Sequence, residues 1–417
     1  MLKTFLNPRR LHDYPILMLL VSYAILSANL AFHQGWRGGL GQIIGSDFIT
    51  LYAQGLIQQA APSSLYDFEF QRDTQAALIA PTALPGLNPF ISPPYVASAY
   101  SLLTFLPLPW AFGLWTLFTF LCAGLAAIVM ERLYSRLSPQ NNPAQRKSRV
   151  WRLLVVTLSF FPFVEGLQAG QNHALSLLLV AGLLLAAARE RWALSGALAG
   201  CLIYKPQMVI GLLVVWLVWK NARALAGFGV VSLLWIGIYF ARFGIQPFLD
   251  YLEAMHVIQG LPYVEGFPGY LITTLYGLLT SLLPENTAGA LLTISQVVFV
   301  LACGMLAWLA FRQRKSALPQ RMPVLALAIV LPLAFSPYAQ LHDLLLLIPV
   351  MVIWSALDAS PRVLYAAVIA YVSAFFLPLI AATTGIAWMA FIPLGLFALI
   401  SAWVWQNQSL TTSEQRQ

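Results

Sequence analysis

Long apolar stretches alternate with short polar ones along the chain, but the first polar stretch is far longer than the rest. After an apolar block at 14–33, residues 34–95 interrupt the pattern for about sixty residues, where a connector between two membrane helices needs only a few. Within this interruption Phe48, Leu51, Tyr52, Leu56 and Ile57 recur on one helical face. The spacing predicts a helix lying against the membrane surface, with Asp47 held at the water–lipid boundary.

Beyond residue 95 the pattern is that of membrane-spanning helices. The block at 95–130 exceeds one ordinary span and is broken by Pro107 and Pro109, so it reads either as two short helices or as an entering half-helix followed by a full crossing. Further spans are expected near 151–164, 173–188, 224–241, 288–311, 323–335, 344–357, 363–380 and 388–405. Trp192 to Trp219 has only about thirteen apolar residues on each side of Lys205-Pro206, too few for two full spans. Proline lacks a backbone donor, so two short helices meeting at that dipeptide fit both the length and the break. Leu271 to Leu283 is short enough to be re-entrant. The fold expected is an all-α polytopic membrane protein of about twelve transmembrane helices, with a long first external loop and short re-entrant segments. One integral membrane unit covers 1–405, and a polar cytoplasmic tail follows at 406–417.

Composition agrees with this reading and excludes a soluble globule: 59% of residues are hydrophobic, 9% are charged and the mean hydropathy is +0.75. A net charge of +8 suggests nucleic acid at first sight, but the basic residues cluster beside apolar blocks, where they act as topology signals. Arg9 and Arg10 place the amino terminus in the cytoplasm, and the first apolar block reads as an uncleaved span rather than a signal peptide. Arg136, Arg146, Lys147, Arg149 and Arg152 mark a second cytoplasmic segment, Arg189 and Arg191 a third, and Arg312, Arg314, Lys315 and Arg321 a fourth. Basic residues alone then put Asp47, Gln171, Asn172, His256, His342 and Asp343 on the outer side, with Lys205 near it. Cys122, Cys201 and Cys303 lie in apolar blocks without metal-ligand spacing and support neither a zinc site nor a disulfide framework.

Charged residues among membrane helices are costly unless paired, wet or used. Asp47 follows Gly45-Ser46 at a helix start, so it reads as an N-cap or as a general base for an incoming hydroxyl. Lys205 reads as a snorkelling interface residue or, facing a cavity, as a point charge for a phosphate. Asp343 is placed to cap a helix or to orient His342, and Gln171 and Asn172 stand where a helix starts. Together these groups describe a polar pocket for a sugar phosphate, with Tyr66, Tyr95 and Tyr338 as walls or hydrogen-bond partners. The outer loop at 242–269, with Asp250, Glu253, His256, Glu265 and aromatics at 251, 263, 267 and 270, offers acceptor contacts or interface anchors.

Ser46-Asp47-Phe48 with Tyr52, the Tyr66 region before Pro93-Pro94, Gly170-Gln171-Asn172, the glycine-rich helix before Lys205-Pro206, and Gln340-Leu341-His342-Asp343 extend over roughly 40–345. In these marks the chain resembles the membrane glycosyltransferases of family 87, which have the GT-C fold and include polyprenyl-phosphate-mannose-dependent mannosyltransferases. The resemblance implies transfer of a sugar, such as mannose, from a polyprenyl-phosphate donor to a lipid or glycan hydroxyl, with inversion. It implies Asp47 as catalytic base and His342 beside the donor phosphate. Lys205, Gln171, Asn172, Asp343, Tyr66 and Tyr338 become candidate donor contacts, and Tyr95 and His256 candidate acceptor contacts. It also implies a bacterial inner-membrane enzyme whose active site faces the periplasm or exterior; no DxD metal motif appears, so no metal or cofactor is expected, and the placement of the basic residues gives no nucleic-acid partner. A lipid or sugar transporter, a flippase, a non-catalytic assembly subunit, or a transferase acting on lipid A or protein are the competing readings.

Overall fold

The structure, a computed structural model, describes residues 8–138, 142–256, 260–264 and 267–414. It is helical throughout. Among the described residues extended pairing is confined to isolated bridges such as Gln34 with Arg37 and Ile272 with Gln340, and there is no sheet. Backbone polar groups satisfied within helices are what a lipid environment demands.

The first helix, α1 (Pro8–Ala31), leads into the long polar segment, which holds α2 (Ser46–Ala60), α3 (Phe68–Ile79) and α4 (Tyr95–Tyr100). The 95–130 block resolves into the short α4 followed by one full crossing, α5 (Leu108–Leu137). Then α6 (Arg146–Ser159) and α7 (Phe161–Ala169) meet at a bend of 59°. After α8 (His173–Ala188) comes the expected break: α9 (Trp192–Gly200) passes into a 3-10 turn at Cys201–Tyr204, and a second turn at Pro206–Val209 leads into α10 (Ile210–Val218). Next are α11 (Ala222–Phe243), α12 (Gln246–Ala254), the eight-residue α13 (Leu275–Leu282) and α14 (Ala288–Gln313). The chain ends with α15 (Leu318–Phe335), a 3-10 turn at Leu341–Leu346, α16 (Leu347–Leu357), α17 (Pro361–Thr384) and α18 (Phe391–Glu414). A helix thus continues through 414 where a polar tail is expected from 406, and Glu265 lies outside the described residues.

Among the described residues seven helices are long and apolar enough to cross a membrane, or eight if the bent pair α6–α7 is one span. Their outward faces carry exposed apolar side chains such as Leu233, Val300 and Ile369, as lipid contact requires. The middle of α15 is buried from Val324 to Ala334, and the main hydrophobic core forms around it from α5, α8, α10 and α16.

A second hydrophobic cluster is built on α2. Phe48, Ile49, Leu51, Tyr52 and Ile57 pack with Phe90, Tyr95 and Tyr100, and a side chain buried as fully as Phe48 contributes about 2–3 kcal/mol. This helix is covered on every side rather than resting on a lipid surface, because Thr50, Gln54 and Gln58 on its polar face are buried too. The covering comes from far along the chain: Tyr239 of α11 donates its hydroxyl to Gln58 Oε1 at 3.0 Å. The polar cleft described next lies where this second cluster meets the main bundle.

Candidate active site

Two glycines bring the first wall together. Gly45 precedes α2 at φ 69°, and its N–H donates to the Gln168 carbonyl at 2.8 Å, tying α2 to the end of α7. Gly170 ends α7 at φ 75°, a left-handed conformation that glycine adopts readily, and a Cβ there would stand 2.5 Å from Phe48 Cβ. The chain turns at Gly170 and delivers Gln171 to Asp47. Gln171 Nε2 donates to Asp47 Oδ2 at 2.7 Å, while Asn88 Nδ2 donates to Asp47 Oδ1 at 2.6 Å. Asp47 sits in the first turn of α2 and makes no side-chain N-cap, so the capping role weighed from sequence is not the one its carboxylate fills.

Asn88 is itself pinned. Its carbonyl accepts from Gln75 Nε2 at 2.9 Å and from Thr50 Oγ1 at 3.2 Å. Gln71 takes the Phe90 N–H at 2.9 Å and donates to the Leu65 carbonyl at 2.8 Å. Both glutamines are buried on α3, so their amides can partner only protein groups.

The opposite wall comes from the break after α9 and from the turn before α16. Lys205 Nζ donates to Asp343 Oδ1 at 2.5 Å, and Asp343 Oδ2 accepts the Gln340 N–H at 3.1 Å in a reciprocal capping box. The Lys205 side chain keeps 15% exposure, against 3% for Asp343, so the ammonium faces the cleft over a buried counter-charge. His342 lies between two carboxylates: its Nδ1 is 3.4 Å from Glu165 Oε2 and its Nε2 is 3.8 Å from Asp343 Oδ1. The Glu165 contact does not meet hydrogen-bond geometry, and His342 Nδ1 and Glu165 Oε2 are both buried without a hydrogen-bond partner among the described residues.

Between the walls is a cleft of about 430 Å³, a size suited to a small ligand or a sugar head group. Asp47, Gln171, Asn172, Lys205, Tyr338, His342 and Asp343 all line it. Tyr66, Tyr95 and His256 do not. Tyr66 donates its hydroxyl to the Ser92 carbonyl at 2.7 Å, and Tyr95 donates to the Ile203 carbonyl at 2.8 Å, so both work behind the wall. Burial pushes both hydroxyls well above the ordinary tyrosine range. His256 lies past the end of α12 and is exposed, and Tyr251 and Met255 line the cleft in its place.

Sequence reasoning assigned no role to Asn88, Glu165 or Tyr204, whereas Gln340 and the aromatic at 251, both singled out from sequence, do line the cleft. Asn88 stands in the Asn88-Pro89-Phe90 motif, and its polar side chain in an extended proline-flanked strip is the one signal that could have drawn attention to it. Tyr204, whose hydroxyl is 2.8 Å from Ser176 Oγ, precedes the conspicuous Lys205. Among the described residues no group of three or more His, Cys, Asp or Glu side chains is placed to hold a metal ion.

No curated protein and no solved structure matches the chain. Residues 90–337 match glycosyltransferase family 87, a stretch that contains Glu165, Gln171, Asn172 and Lys205 and leaves Asp47, Asn88, His342 and Asp343 outside it. With more than half of its length matched, and with the all-helical membrane architecture described above, the chain belongs to glycosyltransferase family 87.

Proposed function

We propose that this protein transfers a sugar, mannose in the first instance, from a polyprenyl-phosphate donor to a lipid or glycan hydroxyl, with inversion at the anomeric carbon. The observation that carries the reading is Asp47. Two neutral amides fix one lone pair on each of its oxygens, and the carboxylate lines the same cleft as Lys205 and His342. A carboxylate has about four acceptor sites, so Asp47 retains capacity for a hydroxyl proton.

In the reaction Asp47 takes the proton of the acceptor hydroxyl as its oxygen attacks the anomeric carbon. The bond from that carbon to the phosphate oxygen breaks on the opposite face, and the electron pair leaves with polyprenyl phosphate. Lys205 has three N–H donors and commits one to Asp343, so the others are free to meet the growing negative charge, with His342 beside them. Gln171 and Asn88 act as positioning residues for the base.

The reading includes a GT-C arrangement of about twelve crossings. Twelve is reached when the bent pair counts once and the four shorter apolar helices 173–188, 192–204, 206–218 and 341–357 are added to the others. The cleft and the arginine-rich helix ends lie at opposite ends of α8, whose sixteen residues span about 24 Å. By the positive-inside rule the cleft then faces outward, which for a bacterial inner membrane is the periplasm.

The test uses the purified full chain in nanodiscs with a panel of polyprenyl-phosphate sugars and lipid acceptors. Asp47→Asn should abolish transfer while folding and donor binding persist. Undiminished transfer by that variant removes Asp47 from the base role, and donor translocation without any transfer by the parent removes the enzyme reading itself.

A further inference from the structure

At the end of the bundle away from the cleft, a second cavity of about 310 Å³ opens where α5, α6 and α8 meet. Its walls carry five arginines, Arg132, Arg136, Arg146, Arg149 and Arg189, and one carboxylate, Glu131. The Glu131 side chain is 1% exposed and accepts from Arg146 Nε at 3.1 Å and from Arg149 Nη2 at 3.0 Å. One buried carboxylate therefore organises two guanidinium groups while four positive charges stay uncompensated. Arg136 Nε is spent on the Ala188 carbonyl at the end of α8, at 3.2 Å. The guanidinium groups of Arg132 and Arg189 are exposed and have no hydrogen bond or ion pair among the described residues.

A second observation points the same way. The first turn of α6 reads Arg146-Lys147-Ser148-Arg149 with no acidic residue, although the N-terminal end of a helix carries partial positive charge and favours anions. Pro143 and Arg146 at that end line the cavity. Glu131 answers one of these charges, and the helix dipole together with the remaining arginines still favours a further anion at this end. Trp151, 61% exposed on the same helix, fits a level near the membrane boundary.

From this geometry we infer that the arginine cavity binds a phosphate group. The oxygens of a phosphate match the forked donors of Arg132 and Arg189, and the group would hold the C-terminal end of α5 against the end of α8. The phosphate of an anionic lipid head group and soluble inorganic phosphate present the same chemistry, and the site lies where either can reach it. The inference is independent of the sugar-transfer reading.

The test melts the full-length protein in phosphatidylcholine nanodiscs, either doped with phosphatidylglycerol or supplied with inorganic phosphate in the buffer. Stabilisation in the first arm identifies a lipid source and in the second a soluble one, and either supports the site. Arg132→Gln/Arg189→Gln should weaken the stabilising interaction about tenfold or more, since two charge-assisted donors are lost. Arg152→Gln/Arg191→Gln, which removes equal charge outside the cavity, should keep the full shift. Because Arg132 and Arg189 have no partners among the described residues, the undoped melt of the first variant should equal that of the parent; if the pair does not survive purification, single Arg132→Gln is read the same way. No shift of the parent in either arm, or equal loss in both double variants, overturns the proposal.

Discussion

Asp47 and Asp343 both line the cleft, yet they are held in opposite ways. Asp47 is part-exposed and takes a neutral amide on each oxygen, whereas Asp343 is buried, gives one oxygen to the Lys205 ammonium and the other to a backbone N–H. The first arrangement fixes a carboxylate and leaves its charge uncancelled; the second cancels it. Position beside a cavity therefore does not assign chemistry, and the partners of each group do. The sharpest test compares Asp47→Asn with Asp343→Asn. Asp47→Asn should lower turnover by about 10²–10⁴-fold, the usual worth of a general base, with only a modest fall in the melt because one of the two amides loses its acceptor. Asp343→Asn should instead lower the melting temperature first, because it leaves Lys205 short of its counter-charge. Equal turnover of the two variants, normalised to folded protein, would erase the contrast.

The ion pair itself is the next largest effect. Lys205→Met strands the nearly buried Asp343 carboxylate and should cost about 3–5 kcal/mol, read from denaturant or thermal unfolding in a fixed detergent. Lys205→Met/Asp343→Leu should recover most of that stability, since an apolar pair of similar volume replaces a desolvated ionic one, while transfer stays impaired because the phosphate has lost its cation. A double variant no more stable than Lys205→Met would show that the two groups are not coupled. Smaller again are Asn88→Ala and Gln171→Ala. Each removes a hydrogen bond to a charged group, worth about 1.5–3 kcal/mol, and should reduce kcat more than it alters donor KM, since it loosens the base and touches no phosphate.

The spans were legible because lipid demands long apolar helices, and the break at Lys205-Pro206 because proline interrupts the backbone ladder and a lysine is out of place there. The polar pocket was largely legible too, since few polar residues interrupt such a chain. Partners were not. The glutamine-bearing face of α2 looks like the wet side of an interfacial helix, yet Gln58 meets Tyr239 across 181 residues of chain. Helical periodicity reports a local face and says nothing about an element that arrives later to cover it. The same limit hid Asn88, whose partner Asp47 lies 41 residues earlier, and Glu165, which ends up facing His342. His256 is exposed and does not line the cleft, which Tyr251 and Met255 reach from the same stretch of chain.

The smallest expected effect decides what Tyr95 does. Its hydroxyl donates to the Ile203 carbonyl, joining the cluster built on α2 to the turn immediately before Lys205. Tyr66 makes the corresponding bond to Ser92, within the same wall as Asn88. Loss of either hydroxyl should cost about 1 kcal/mol, and slightly more where the abandoned carbonyl stays out of water. Burial keeps both groups neutral donors across the range in which a membrane enzyme is assayed, so neither variant should alter the alkaline limb of a pH–rate profile. If Tyr95 acts through the Lys205 turn, Tyr95→Phe should lower the melting temperature slightly and raise donor KM with acceptor KM unchanged, while Tyr66→Phe should leave donor KM alone. An acceptor contact by Tyr95 requires the reverse: a raised acceptor KM and an unaltered melt.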